Sequence, residues 1–120
     1  MIDFKRLFKS FIRAFSGLGY AIKNENTIRT GVIISIIVLF FSFYCPLNSI
    51  ERSIVILCIV IVMGAEFINT QIERINDLLD DTYNYKIKII KDISAGGVLL
   101  CILGAGIIGF LIFWPHLTNL

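Results

Sequence analysis

Residues 93–114 read "ISAGGVLLCILGAGIIGFLIFW", twenty-two residues without a single charge. A helix crossing the hydrocarbon layer of a bilayer needs about 20 predominantly apolar residues, and this run meets that length unaided. Two further apolar runs precede it, "GVIISIIVLFFSFYCPL" at 31–47 and "SIVILCIVIVMGAEFI" at 53–68. Each reaches spanning length only with its flanking turns. The whole chain of 120 residues is 57% hydrophobic and 17% charged, with a mean hydropathy of +0.84. A soluble domain is roughly 45–50% apolar. The expected fold class is therefore all-α and integral to a membrane, with spans at about 28–47, 52–72 and 90–114.

Charge distribution sets the orientation. Of the eleven Lys and Arg residues, six lie in residues 1–30, four in 74–91, and Arg52 alone falls between the first two spans. The positive-inside rule then puts the N-terminal segment and residues 69–92 in the cytoplasm. The 45–53 turn and the tail "WPHLTNL" lie outside, with Phe43, Tyr44 and Trp114 as interfacial anchors. The N-terminus is amphipathic and basic, with no small-residue cleavage site, so no cleavable leader is expected. The net charge of +2 gives no reason to expect nucleic acid as a partner.

The segment "FKRLFKSFIRAFSGLGYAI" at 4–22 has a helical period. Phe4, Leu7, Phe8, Phe11, Phe15, Leu18 and Ile22 form one face, and Lys5, Lys9 and Arg13 recur four apart on another. Such a helix, taken as residues 1–24, lies in the plane of an anionic leaflet, its lysines meeting lipid headgroups. Gly17 and Gly19 are expected to loosen it. Residues 74–92 form the long polar stretch. Asp80-Asp81-Thr82 reads as a turn or helix start, and the alternation of Tyr83, Tyr85, Ile87 and Ile89 as a loop leading into a helix near Lys86, since no second strand is available to pair with it. Cys45, Cys58 and Cys101 have no metal or redox spacing and read as reduced packing residues. His116 stands alone at the outer end. Gly96, Gly97, Gly104, Gly106 and Gly109 read as positions of close helix packing.

The chemistry lies in "AEFINTQIERIND" at 65–77. Glu66, Asn69, Glu73 and Asp77 are spaced i, i+3, i+7, i+11, so on a helix they form one narrow stripe. A solvated helix end is the plainer account of any one of them. Carboxylates at the hydrocarbon boundary are costly, however, and mark functional candidates. Glu25 stands at the same cytoplasmic level on another segment. Mg²⁺ takes oxygen ligands, commonly one or two carboxylates plus substrate phosphates, and Glu25 with Glu73 meets that need. Phosphoryl transfer also calls for a cation near the phosphates and a group to orient or deprotonate the acceptor hydroxyl. Lys91-Asp92 supplies the cation, and Glu66, deepest in the stripe, is suited to take a proton from a lipid hydroxyl. No GxxxxGK[ST] or GxGxxG motif is present.

"YAIKNE" at 20–25, "EFINTQIERIND" at 66–77 and "KDISAGGVLL" at 91–100 strongly resemble the bacterial diacylglycerol kinase family of small three-span membrane kinases. The family pattern is close to E-x-x-N-[TS]-x-I-E-x-x-x-D followed by K-D, and its order and spacing match over nearly the whole chain. "GLGYAIKNE" at 17–25 and "FWPHL" at 113–117 look more like the undecaprenol kinase branch. The resemblance implies one kinase domain in a homotrimer with shared sites in a bacterial plasma membrane. It implies ATP and Mg²⁺ at the cytoplasmic face and a lipid alcohol as acceptor. It carries Glu66 over as the catalytic base and Glu25 and Glu73 as metal ligands. Arg6, Arg13, Asn69, Asp77, Tyr83, Asn84, Lys91 and Asp92 resemble nucleotide-site residues, and Arg29, Glu66 and Ala95 fall where the family meets the lipid. Gln71, Arg74-Ile75-Asn76, Asn84 and Arg13 depart from the family pattern. Undecaprenol is the preferred acceptor and diacylglycerol the second. A reading from another class, a small proton-coupled transporter, wants its acid near the bilayer midplane, whereas every acid here but Glu51 is assigned to the cytoplasmic side.

Overall fold

The computed structural model describes residues 1–79 and 85–119, all of them helical or in short connections. Among the described residues four helices follow one another: α1 (Phe4–Asn24), α2 (Asn26–Tyr44), α3 (Ser49–Leu79) and α4 (Tyr85–Thr118). The last three are long and apolar enough to cross a membrane. Among the described residues there is no strand, and Tyr85, Ile87 and Ile89 lie in the first turns of α4.

Asp3 starts α1 by accepting the Arg6 backbone N–H at 3.2 Å, the side-chain cap that satisfies an otherwise unpaired helix-end donor. The helix then continues unbroken through Gly17 and Gly19 to Asn24, against the expected loosening. Each glycine costs the helix about 1 kcal/mol relative to alanine, too little to open a helix of 21 residues. The chain turns instead at Glu25, whose extended backbone closes α1 and opens α2. The phenylalanine face of α1 is exposed along its length, as a helix lying on an apolar surface requires.

At the opposite end, Asn48 and Glu51 form a reciprocal capping box that starts α3. The Glu51 N–H donates to Asn48 Oδ1 at 2.8 Å, and the Asn48 N–H donates to Glu51 Oε1 at 3.1 Å. His116 is not alone there: its Nε2 lies 3.2 Å from both Glu51 carboxylate oxygens. Arg52 donates to the carbonyls of Ser42 and Leu47 at 3.2 Å and sits 4.9 Å from the centre of the Phe43 ring. Beside this polar knot is a packed cluster of Cys45, Leu47, Val55 and Ile112. The three cysteines are free thiols.

The glycines of α4 do not mark close packing within the chain. A Cβ added at any of them meets nothing within 4 Å. Close approach occurs instead at Gly31 of α2, where a Cβ would stand 2.8 Å from Met63 Sδ of α3. With 31 and 34 residues, α3 and α4 run about 46 and 51 Å at 1.5 Å per residue. A hydrocarbon layer of about 30 Å leaves about three turns of α3 and four of α4 over, and the polar site lies on such turns.

Candidate active site

Because α3 is continuous from Ser49 to Leu79, the stripe expected from spacing is realised on a single helix. Glu66 sits where the apolar part of α3 ends and is half-buried, Asn69 is buried, Glu73 is half-buried, and Asp77 is exposed. Asn69 Nδ2 donates to Glu73 Oε1 at 3.3 Å. Asn69 Oδ1 is buried with no donor reaching it, and Nδ2 of the neighbouring buried Asn76 is likewise buried with no acceptor. A buried amide oxygen without a partner costs about 1–3 kcal/mol, which makes it a natural ligand or donor-seeking position.

Glu66 is also unpartnered: among the described residues its carboxylate accepts no hydrogen bond and joins no ion pair. It lines one end of a cavity of about 650 Å³ between α2, α3 and α4. Thr27 and Thr30 share that end, Gly31 and Met63 follow, and Val55 and Phe113 close the far end. A bare carboxylate at the mouth of an apolar cavity is an acceptor with nothing of its own to accept from.

Two cations engage these acids, one from α4 and one on α3 itself. Lys91 of α4 binds Asp77 at 2.5 Å, tying the tip of the stripe to the next helix. Arg74 was not anticipated. Its guanidinium grips Glu25 in a two-bond fork, Nε to Oε1 at 3.0 Å and Nη2 to Oε2 at 3.1 Å. Glu25 therefore does not cap α2 with its side chain, and it enters the site already bound to a cation of the chain. The only hint in the sequence is that Arg74 interrupts an otherwise apolar triplet of the family pattern.

The remaining expected residues fall around this centre. Asp92 pairs with Lys88 at 2.6 Å, one turn away on α4. The Arg29 guanidinium donates to the carbonyl of Lys23 at 2.9 Å, closing the end of α1. Arg6, Arg13 and Ala95 are exposed. Tyr83 and Asn84, and the Asp80-Asp81-Thr82 turn, lie outside the described residues. No group of three or more His, Cys, Asp or Glu side chains gathers into a metal-sized cluster among the described residues.

Three spans, an acidic stripe at the hydrocarbon boundary and an apolar cavity beneath it define a membrane protein that handles a polar group at the lipid surface. The sequence model of prokaryotic diacylglycerol kinase matches residues 13–113, and the chain belongs to that family. It is a multi-pass membrane lipid kinase. It is similar to a protein named undecaprenol kinase from Bacillus subtilis, 34% identical over 115 residues that cover 96% of this chain and 94% of the relative. It is also similar to a protein named diacylglycerol kinase from Synechocystis sp., 31% identical over 115 residues, 95% of this chain and 66% of that longer relative. Nothing in these relationships favours a transporter.

Proposed function

We propose that this lipid kinase transfers the γ-phosphoryl group of ATP to undecaprenol, giving undecaprenyl phosphate and ADP at the cytoplasmic face of a bacterial plasma membrane. The observation that carries the reading is the unpartnered Glu66 carboxylate at the mouth of the apolar cavity. The relative named undecaprenol kinase, alignable over nearly the whole chain, supports the choice of acceptor. The relative named diacylglycerol kinase keeps diacylglycerol as the second reading.

In the proposed step, Glu66 accepts the proton of the lipid hydroxyl as its oxygen attacks the γ-phosphorus. The bond from that phosphorus to the β–γ bridging oxygen breaks, and ADP leaves with the electron pair. A positioned base of this kind contributes about 10²–10⁴-fold. Asp77 and Lys91, held together at 2.5 Å, present a paired charge beside the phosphates, and Asp92 with Lys88 borders the nucleotide from α4. Arg6, Arg13, Tyr83 and Asn84 complete the nucleotide contacts, with Arg29 and Ala95 toward the lipid.

The donor set suits a hard divalent cation, since oxygen is the only ligand type offered and Asn69 Oδ1 is a buried oxygen with no donor of its own. Glu73 and Glu25 would hold Mg²⁺, which when bound neutralises charge on the transferring phosphates. Arg74 must then release Glu25. The phosphates of ATP offer its guanidinium an alternative bidentate partner. The sites are proposed to be completed between copies in a homotrimer, as the family resemblance implies.

The acceptor is tested by offering the purified protein labelled ATP, Mg²⁺ and equal mole fractions of undecaprenol and diacylglycerol in one bilayer. Undecaprenyl phosphate is the expected main product. Phosphatidic acid as the main product would transfer the mechanism to the second acceptor.

A further inference from the structure

Among the described residues, two buried side-chain polar atoms have no hydrogen-bond partner, Asn69 Oδ1 and Asn76 Nδ2. Both residues belong to α3 and are at least nine-tenths buried. They stand seven positions apart, about 10.5 Å along the helix and about 20° around it, with Glu73 between them on the same face. Native structures leave few such atoms, and each calls for a reason. Two on one face of one helix, both in the candidate site, call for a shared one.

Their polarity is opposite. Asn69 Oδ1 is an acceptor and suits a cation, whereas Asn76 Nδ2 is a donor and suits an anion. A nucleotide with its divalent metal brings both. Nδ2 donates neither to Glu73, one turn back, nor to Asp77 beside it, whose carboxylate is held by Lys91. An apolar side chain of the same size would fill the position without an unpaired donor, and the family pattern is mostly apolar in this triplet. The resemblance therefore gives Asn76 no role, and the amide is this chain's own addition. Glu66, which meets the transferred phosphoryl group in the proposed step, lies ten positions and about 15 Å back along α3. The phosphates nearer to Asn76 are those that stay on ADP.

Resting on the reading of ATP as the donor, we propose that the Asn76 carboxamide is a nucleotide-binding group, its Nδ2 donating to an oxygen of the phosphates that remain on ADP. Nδ2 is closed off from water in the free chain. The nucleotide reaches it by displacing what covers it, and the bond to a charged acceptor offsets that cost. Free protein thus carries an unpaired donor that the bound nucleotide satisfies.

The test separates binding from stability. Wild type and Asn76→Leu, each as the full chain in detergent, are titrated with ADP and Mg²⁺ by calorimetry, and the thermal midpoint of each is read without nucleotide. The variant is expected to bind ADP about tenfold more weakly, the worth of a hydrogen bond to a charged group. Its KM for ATP should rise by the same factor at an unchanged kcat, because the contact is made equally before and during transfer. Its nucleotide-free midpoint should equal or exceed that of wild type. A raised midpoint with unchanged ADP affinity would overturn the proposal and leave Asn76 a merely unpaired amide. A lowered midpoint with dissociation into single chains would also overturn it, placing the acceptor on a second copy.

Asn76→Asp gives a second arm, since it replaces the donor with a charge of the phosphates' own sign. ADP affinity is expected to fall further than in Asn76→Leu, and wild-type affinity in this variant would contradict a phosphate contact. Wild type that phosphorylates lipid from another donor and binds no ADP would remove the nucleotide reading, and the proposal with it. Wild type and both variants binding ADP alike would remove the proposal alone.

Discussion

At the scale of single residues, the site turns on which carboxylates are engaged and which are bare. Glu25 is bound by Arg74, Glu73 by the Asn69 amide and Asp77 by Lys91. Glu66 alone of the four is left for a substrate. Replacing Glu66 with Gln keeps shape and removes the proposed acceptor of the proton, so kcat should fall about 10²–10⁴-fold with the KM for ATP little changed. Arg74 gives a prediction of opposite sign. Its side chain is 59% exposed, so its pair with Glu25 is a weak surface pair, yet in the proposed site Mg²⁺ displaces it to reach Glu25. Arg74→Gln should lower the Mg²⁺ concentration for half-maximal activity by up to about fivefold, the range of such pairs, at an unchanged maximal rate. A collapse of the maximal rate instead would mean that Arg74 acts on the phosphates throughout.

At the scale of elements, what was legible in the sequence is what depends on one helix at a time. The uncharged 93–114 run fixed a spanning helix, and the four-residue stripe followed from periodicity because α3 never breaks. What was not legible depends on how helices tilt and approach. The five glycines of α4 face open space, and the tight crossing is at Gly31 against Met63, a choice that only the relative placement of α2 and α3 makes. Arg74 and Glu25 are 49 residues apart, and no local rule pairs them. The Asn48–Glu51 capping box was within reach, because an Asn three residues ahead of a Glu before an apolar run is a helix-start signature, but the apolar pattern drew the reading past it. Removing that cap by Asn48→Ala should cost about 0.5–2 kcal/mol, measured as a lower thermal midpoint in detergent. Activity at temperatures where both proteins are folded should be unaffected, since the cap lies at the end of α3 opposite the acidic stripe.

At the scale of the whole molecule, seven hydrophobic side chains are buried among the described residues, and long apolar faces on α2, α3 and α4 stay open. The bilayer satisfies such faces without any partner, because lipid tails are as apolar as leucine. The proposed homotrimer therefore needs its own test. With a chain mass of 13.6 kDa, native mass spectrometry from mild detergent should give a protein mass three times larger, about 41 kDa. A species of one chain that retains full activity would remove the shared-site proposal and leave Glu66 to act within its own subunit. Extra helix beyond the bilayer thickness gives α3 and α4 one working purpose each: α3 lifts the acids from the lipid boundary into water, and α4 brings Lys91 alongside them.

The central claim, that a bare carboxylate at the mouth of an apolar cavity takes the proton of a lipid alcohol, is tested most directly by the Glu66→Gln protein. Wild type and variant are given labelled ATP, Mg²⁺ and undecaprenol in the same bilayers, with nucleotide binding measured alongside by calorimetry. The account predicts labelled undecaprenyl phosphate from the wild type, a loss of at least a hundredfold in the variant, and ATP affinity within a factor of two. Phosphorylation by the variant at the wild-type rate would contradict it.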